Sequence, residues 1–319
     1  MGSGAENVPD LFIVGVGRSG TSLLMSMLNA HPEISFPPET GLLRRYGFSR
    51  PKSKTPGEVR GELDQDKNFG RLELQQEEVL SHFSVTFSEV DGLSLYKEIM
   101  RQYFEEQDNC PELIGDKDPK LIEYLPDIHD KFPSAKVIHI IRDPRDVYLS
   151  RRKAEWSSGR GWFLQAFTYR IQYKLSRKWG RELLGENYYE VQYEDLLTRP
   201  EQNLRRLTDF LELEYNTAML EFGDKAENLV AKDEEDWKEN VTGPLLKDNY
   251  DKWKYQLKIN EVYRIEEICS QPFREGLYQR AELKPSLRQK IGVLPLKFIS
   301  SILEFAYTRK LWLKRKLRN

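Results

Sequence analysis

Cysteine is scarce in this sequence, which holds only Cys110 and Cys269 among 319 residues. Two cysteines so far apart provide neither a disulfide framework nor the paired ligand spacing of a zinc site. We therefore expect reduced thiols that are partly buried. No other spacing of His, Cys, Asp or Glu indicates a metal site, and no metal is expected.

An excess of basic charge is also lacking, because 49 Lys and Arg stand against 51 Asp and Glu. Nucleic-acid-binding proteins often show a basic surface, so nucleic acid is not expected as a partner. Hydrophobic residues make up 39% of the chain and aromatic residues 12%, which excludes a disordered chain. We interpret residues 1–319 as one soluble domain.

The N-terminus, MGSGAENVPD, lacks the apolar run of a signal peptide or membrane anchor. A cytoplasmic location is therefore expected, and an anchor removed ahead of position 1 stays open as an alternative. One glycosylation sequon, Asn240-Val241-Thr242, is present. A single sequon arises easily by chance.

Short apolar segments alternate with amphipathic segments along the chain. Leu11–Val16, Lys136–Ile141 and Tyr188–Gln192 are typical of buried strands, and Thr21–Asn29 and Pro200–Leu211 of helices. This alternation predicts an α/β protein with a P-loop-like three-layer fold, in which helices flank a central, mainly parallel sheet. Within the second strand, His139 is interpreted as a core residue. Residues 47–70 are polar and rich in Pro, Lys and Gly, which predicts a long loop.

A glycine-rich loop joins the first predicted strand to the first predicted helix. In this context backbone N–H groups and the helix N-terminus form a cradle for an anion. The spacing nearly matches the ATP-binding pattern G-x-x-x-x-G-K-[ST], but Thr21 stands in the lysine position. Arg18 offers a bidentate cation instead, which favours one phosphate with a further anionic group. The residues predicted to bind this group are Gly17, Arg18, Ser19, Gly20, Thr21 and Ser22.

A second anion site is predicted where the strand Lys136–Ile141 ends. Arg142 follows that strand directly, at the edge where α/β sheets bind ligands. Ser150 lies about two helical turns later and returns to a similar face. Two separate anion sites on one sheet indicate a nucleotide that is phosphorylated at two places.

Both motifs resemble those of sulfotransferases that use 3′-phosphoadenosine 5′-phosphosulfate (PAPS). The loop 17–22 resembles their 5′-phosphosulfate loop, and the segment 142–150 their 3′-phosphate motif. The similarity is closest to the Golgi-type and tyrosylprotein-type branch and related bacterial enzymes, whose His-Pro and Glu-Thr pairs match His31-Pro32 and Glu39-Thr40. The Golgi lumen is therefore a second possible location.

The resemblance implies roles for individual residues. Glu39 corresponds to the catalytic base, and Lys117 and Arg18 to groups that stabilise the transferring sulfonyl. Tyr193 corresponds to a residue near the adenine or the 3′-phosphate, and Lys252 to a late cofactor contact. The implied reaction is in-line transfer from PAPS to a hydroxyl of a glycan, a tyrosine or a small molecule, without metal and with 3′,5′-adenosine bisphosphate (PAP) as product. The variable region of about residues 44–110 is expected to shape the acceptor pocket.

Two other functions stay open at this point. A P-loop kinase or ATPase would share the loop but requires the lysine that Thr21 replaces. A nucleotide-binding module without chemistry would bind PAP and sulfate nothing. The C-terminal segment, about residues 293–319, predicts a basic amphipathic helix. That helix either docks on the domain or contacts an anionic membrane or an acidic partner.

Overall fold

The computed structural model describes residues 9–48, 53–86, 89–107, 111–154, 157, 159–223 and 243–318. Cys110 and the sequon at 240–242 lie outside the described residues. Cys269 is buried and free. Burial raises the pKa of its thiol well above the ordinary value, so it is an unreactive core residue.

The centre of the fold is a parallel sheet with the strand order β2-β3-β1-β4-β5. In the middle strand, Ile13 lies opposite Lys117 on one neighbour and Ile138 on the other. The predicted mainly parallel sheet is confirmed. The strands are β1 Leu11–Gly15, β2 Ile34–Ser35, β3 Leu113–Lys117, β4 Lys136–Ile141 and β5 Tyr188–Gln192.

Helices cover both faces of this sheet. Those of the first two thirds of the chain are α1 Thr21–Asn29, α2 Pro56–Gln65, α3 Lys67–Gly70, α4 Gln76–Thr86, α5 Gly92–Glu106, α6 Leu125–Lys131, α7 Pro144–Lys153, α8 Trp162–Trp179, α9 Tyr193–Thr198 and α10 Pro200–Leu211. Those that follow are α11 Trp253–Gln256, α12 Ile259–Ile268, α13 Ser270–Arg274 and α14 Leu287–Arg318.

Alternate residues of β1 belong to two separate cores. Leu11 and Ile13 pack with α1, α9 and α10, whereas Phe12 and Val14 pack with α5, α6, α7 and α8. A strand that is buried on both faces has a continuous run of apolar residues, and β1 has such a run. The three-layer prediction is therefore confirmed.

The prediction of a long loop at residues 47–70 is wrong, because α2 and α3 lie within it. Thr55 caps α2 by accepting a hydrogen bond from the backbone of Glu58, whose side chain accepts one from the backbone of Thr55. Thr55 and Glu58 thus form a capping box, and Pro56 occupies the first turn of the helix. The Pro and Gly that looked like loop composition therefore mark a helix start.

The prediction that His139 is a core residue is confirmed. It is buried, and its Nδ1 lies 2.6 Å from the Tyr188 hydroxyl. Burial, with a second contribution from Arg177, lowers the pKa of His139 to about 3. The folded protein therefore keeps this imidazole neutral in a pH range in which the unfolded chain protonates it.

We expect this histidine to make folding sensitive to acid. Because its folded pKa is depressed from 6.5, its contribution is complete above pH 6.5 and falls as the pH drops towards 3. Between pH 6 and pH 4 the wild type should lose about 1.4 kcal/mol of unfolding free energy per pH unit more than His139→Gln. Urea unfolding at several pH values measures this difference, and parallel pH dependences of the two proteins would contradict it.

Candidate active site

A cleft of about 800 Å³ opens at the carboxyl edge of the sheet, beside the ends of β1, β3 and β4. Parallel α/β sheets bind ligands at this edge. Seven of the side chains that line the cleft are basic and three are acidic. This imbalance suits an anionic ligand. The basic residues are Arg18, Arg44, Arg71, Lys120, Arg142, Arg151 and Arg160.

The glycine-rich loop has an unusual backbone conformation. Both Arg18 (φ 77°) and Gly20 (φ 98°) have positive φ, and Gly20 precedes the first residue of α1. A Cβ atom at Gly20 would lie 2.3 Å from Cδ2 of the Tyr193 ring. Only glycine therefore allows Tyr193 to pack against the loop at the helix N-terminus, where backbone N–H groups attract anions.

The two predicted anion motifs are in direct contact. Nε of Arg18 donates to Oγ of Ser150 at 3.1 Å, and Nη1 of Arg142 donates to the carbonyl of Arg18 at 3.2 Å. Burial lowers the pKa of Arg18, and the charge of Arg142 lowers it further. An anion between these guanidinium groups would relieve their repulsion.

Arg142 is held in place by its neighbours. Its guanidinium lies 4.2 Å from the centre of the Tyr193 ring, and its Nη2 donates to the carbonyl of Asn249 at 2.9 Å. The Tyr193 hydroxyl accepts from Nδ2 of Asn249 at 2.9 Å. Nε of Arg142 and Oγ of Ser19 are buried and have no hydrogen-bond partner in the described structure. Because buried polar atoms are normally paired, these two atoms are suited to ligand oxygens.

Lys117 and Glu39 form an ion pair at the end of β3. The Lys117 side chain is fully buried, whereas that of Glu39 is 29% exposed. Nζ of Lys117 also donates to Oγ of Ser22 at 3.2 Å, which connects the pair to the glycine-rich loop. The backbone carbonyl of Glu39 accepts from Nη1 of Arg71 at 2.8 Å. The structure thus brings the proposed base, the proposed cation and the loop together.

Lys252 is not brought into the cleft. It is exposed and does not belong to the residues that line the cleft, whereas its neighbour Trp253 packs on α7. The Trp253 backbone N–H donates to Oδ1 of Asp146 at 2.9 Å, and the Arg145 guanidinium lies 3.6 Å from its ring. The Lys-Trp pair therefore contributes a structural tryptophan here, and the cofactor contact of Lys252 stays a prediction.

Arg151 and Tyr307 are among the cleft residues that sequence reasoning missed. Arg151 follows Ser150 directly and donates from Nε to the carbonyl of Gly17 at 3.1 Å. Burial, with Arg160 second, lowers the pKa of Arg151 to about 10. The position of Arg151 directly after the second motif was a usable signal. Tyr307 comes from the distant helix α14 and gave no signal, because no local pattern relates it to the loop.

Comparisons with known proteins show what the chain is similar to. A model of the sulfotransferase family matches residues 9–217. Protein-tyrosine sulfotransferase A of Caenorhabditis elegans is 31% identical over 232 residues, which are 70% of this chain and 54% of that protein. The chain thus spans about half the length of this relative. Omega-hydroxy-beta-dihydromenaquinone-9 sulfotransferase Stf3 of Mycobacterium bovis is 41% identical over 93 residues, which are 26% of this chain and 24% of that protein.

A solved structure shares the fold. The sulfotransferase domain from the Synechococcus PCC 7002 olefin synthase matches with a TM-score of 0.64 at 22% identity, covering 87% of this chain and 98% of that chain. At this level of identity the likeness concerns the fold.

We expect the glycine-rich loop to tolerate no side chain at Gly20. Gly20→Ala should lower the unfolding free energy by more than the ~1–2 kcal/mol of a left-handed backbone alone, because the methyl group also meets Tyr193. The matched control is Gly57→Ala in α2, where a methyl group meets no heavy atom within 4 Å. Urea unfolding without ligand compares them, and equal stability of the two variants would contradict the loop geometry.

Proposed function

Because this chain belongs to the sulfotransferase family, we propose that it transfers a sulfonyl group from PAPS to a hydroxyl group of an acceptor. The observation that carries this proposal is the contact between the two anion motifs. Arg18, Ser150 and Arg142 meet within hydrogen-bond distance under the glycine-rich loop. A donor with phosphates at both ends of one ribose needs such a pair of sites.

The residues present suit the donor at three points. The loop amides of residues 17–22 and the N-terminus of α1 would hold the 5′-phosphosulfate, with Arg18 as cation. Arg142 and Ser150 would hold the 3′-phosphate. The buried atoms without partners, Nε of Arg142 and Oγ of Ser19, offer donors for phosphate oxygens. Tyr193, whose ring packs on the Arg142 guanidinium, would line the site of the adenine or of the 3′-phosphate.

PAPS supplies the sulfonyl group, and the side chains of the cleft supply charge and proton transfer. Negative charge grows on the leaving phosphate and on the sulfonyl oxygens, where Lys117 and Arg18 stabilise it. The acceptor hydroxyl gives its proton to the Glu39 carboxylate as its oxygen bonds to sulfur. The ion pair with Lys117 fixes the orientation of that carboxylate, and the exposed part of Glu39 lies at the cleft.

The acceptor is a hydroxyl compound, for which we propose a glycan, a tyrosine or a small molecule. Relatives of this chain named as protein-tyrosine sulfotransferases favour tyrosine as the first acceptor to test. An acceptor would reach Glu39 in the same open cleft of about 800 Å³ that would hold the donor.

We expect Glu39→Gln to separate catalysis from binding. The amide keeps the size of the side chain but accepts no proton, so turnover with PAPS should fall by about 10²- to 10⁴-fold while PAP affinity is retained. Turnover is measured as PAP release on an acceptor that the wild type sulfates. Glu33→Gln, which changes an exposed carboxylate outside the cleft, is the matched control and should behave as wild type.

Near-normal turnover of Glu39→Gln would show that another group removes the proton. Absence of any sulfation by the wild type over glycan, tyrosine and small-molecule acceptors, together with tight PAP binding, would favour the non-catalytic nucleotide-binding module.

We expect Arg142→Ala to distinguish the two phosphates of the nucleotide. Loss of charge-assisted hydrogen bonds to the 3′-phosphate should weaken PAP binding by roughly 10- to 100-fold and leave AMP binding nearly unchanged. Calorimetric titration of both nucleotides measures this, with Arg152→Ala on the exposed side of α7 as control. Equal weakening of PAP and AMP would contradict the assignment of Arg142 to the 3′-phosphate.

A further inference from the structure

One face of helix α14 is apolar and open to solvent. Six residues at helical spacing form this outer stripe, and each is between 52% and 73% exposed. Exposed apolar side chains in such a continuous row usually mark a surface that binds another protein or a membrane. The residues of the outer stripe are Leu287, Ile291, Leu294, Phe298, Ile302 and Phe305.

The opposite face of α14 is fixed to the domain. Leu311 packs against a small core on α8, and the buried carboxylate of Glu304 pairs with Arg170 at 3.0 Å and with Lys174. The Tyr307 hydroxyl donates to Oε2 of Glu123 at 2.7 Å. The domain therefore occupies the inner face and leaves the outer stripe facing away from it.

Beyond Phe305 the exposed side of α14 becomes basic. Arg309, Lys310, Lys314 and Lys316 follow, and residues 305–319 contain no Asp or Glu. Trp312 is 53% exposed among them. Apolar residues with Lys, Arg and Trp on one exposed helix are typical of helices that lie in the interface of a membrane. The positive charge complements anionic lipid headgroups.

By length and composition, Leu287–Leu317 is also apolar enough to cross a membrane. The polar contacts of its inner face oppose that arrangement. Lys297 pairs with Glu267 at 2.7 Å, Arg315 pairs with Asp130, and Glu304 is held by two cations. A membrane span would break these pairs or carry them into hydrocarbon, which is unfavourable. An orientation along the membrane plane would leave these pairs intact.

We propose that α14 docks this protein on an anionic lipid bilayer. The outer stripe enters the boundary between headgroups and acyl chains, and the basic residues contact lipid phosphates. Tyr307 on the inner face lines the candidate active site. The cleft therefore lies about one helix diameter, ~10 Å, from the bilayer surface. The proposal goes beyond sulfonyl transfer and holds whether or not that activity is found.

Co-sedimentation with vesicles tests the proposal. The wild type should bind vesicles that contain phosphatidylglycerol more tightly than vesicles of pure phosphatidylcholine. High salt should weaken its binding to the phosphatidylglycerol vesicles. Phe298→Glu/Phe305→Glu should weaken binding by about tenfold or more, because two charges enter the apolar face. The matched control is Tyr255→Glu, which changes an 89% exposed aromatic residue outside α14 and should bind as wild type.

Three results would overturn the proposal. The first is a wild type that does not bind anionic vesicles, and the second is Phe298→Glu/Phe305→Glu binding them as tightly as Tyr255→Glu. The third is a wild-type dimer by light scattering that Phe298→Glu/Phe305→Glu converts to monomer, since a second copy would then cover the stripe. Thermal melts serve as the control for folding. Because the changed residues are exposed, we expect all variants to be folded.

Discussion

The contact between Arg142 and the backbone of Arg18 is the interaction on which the site depends. The two cations come from different strand ends, and the contact of Arg142 with the Arg18 carbonyl holds them close. Burial, with the charge of Arg142 second, lowers the pKa of Arg18. The surrounding structure maintains the arrangement: Gly20 admits the Tyr193 ring, and that ring supports the Arg142 guanidinium. The proposed donor would place an anion beside these two guanidinium groups.

The Lys117–Glu39 ion pair places a cation and a carboxylate side by side at the end of β3. Lys117 is fully buried at the sheet edge and touches the loop through Ser22, whereas Glu39 is partly exposed. In the proposed reaction the cation would face the donor, and the carboxylate would face the solvent from which an acceptor arrives. This order suits a transfer in which charge leaves towards the loop and a proton leaves towards Glu39.

The sequence predicted the parts of this protein that local patterns encode. The strands β4 and β5 have short, continuous signals, and their predicted bounds agree with the structure. The glycine-rich loop and the Arg142–Ser150 motif were recognised together, because each signal is weaker when taken alone. The helix α2 was missed because Pro56 and Gly57 were interpreted as loop composition. Tyr307 and Asn249 reach the cleft from distant segments, so only tertiary packing places them. The helix α14 was expected to begin near residue 293 and begins at Leu287, which extends its apolar stripe.

Stability of the wild type with PAP, compared with ADP and Mg²⁺-ATP, tests the two-phosphate cleft most directly. At ~100 times its Kd, a bound nucleotide adds about 2.7 kcal/mol to the unfolding free energy. We predict that PAP stabilises the protein strongly and that Mg²⁺-ATP does so weakly, because Thr21 stands where a triphosphate requires lysine. Stabilisation by Mg²⁺-ATP without a comparable effect of PAP would contradict the account.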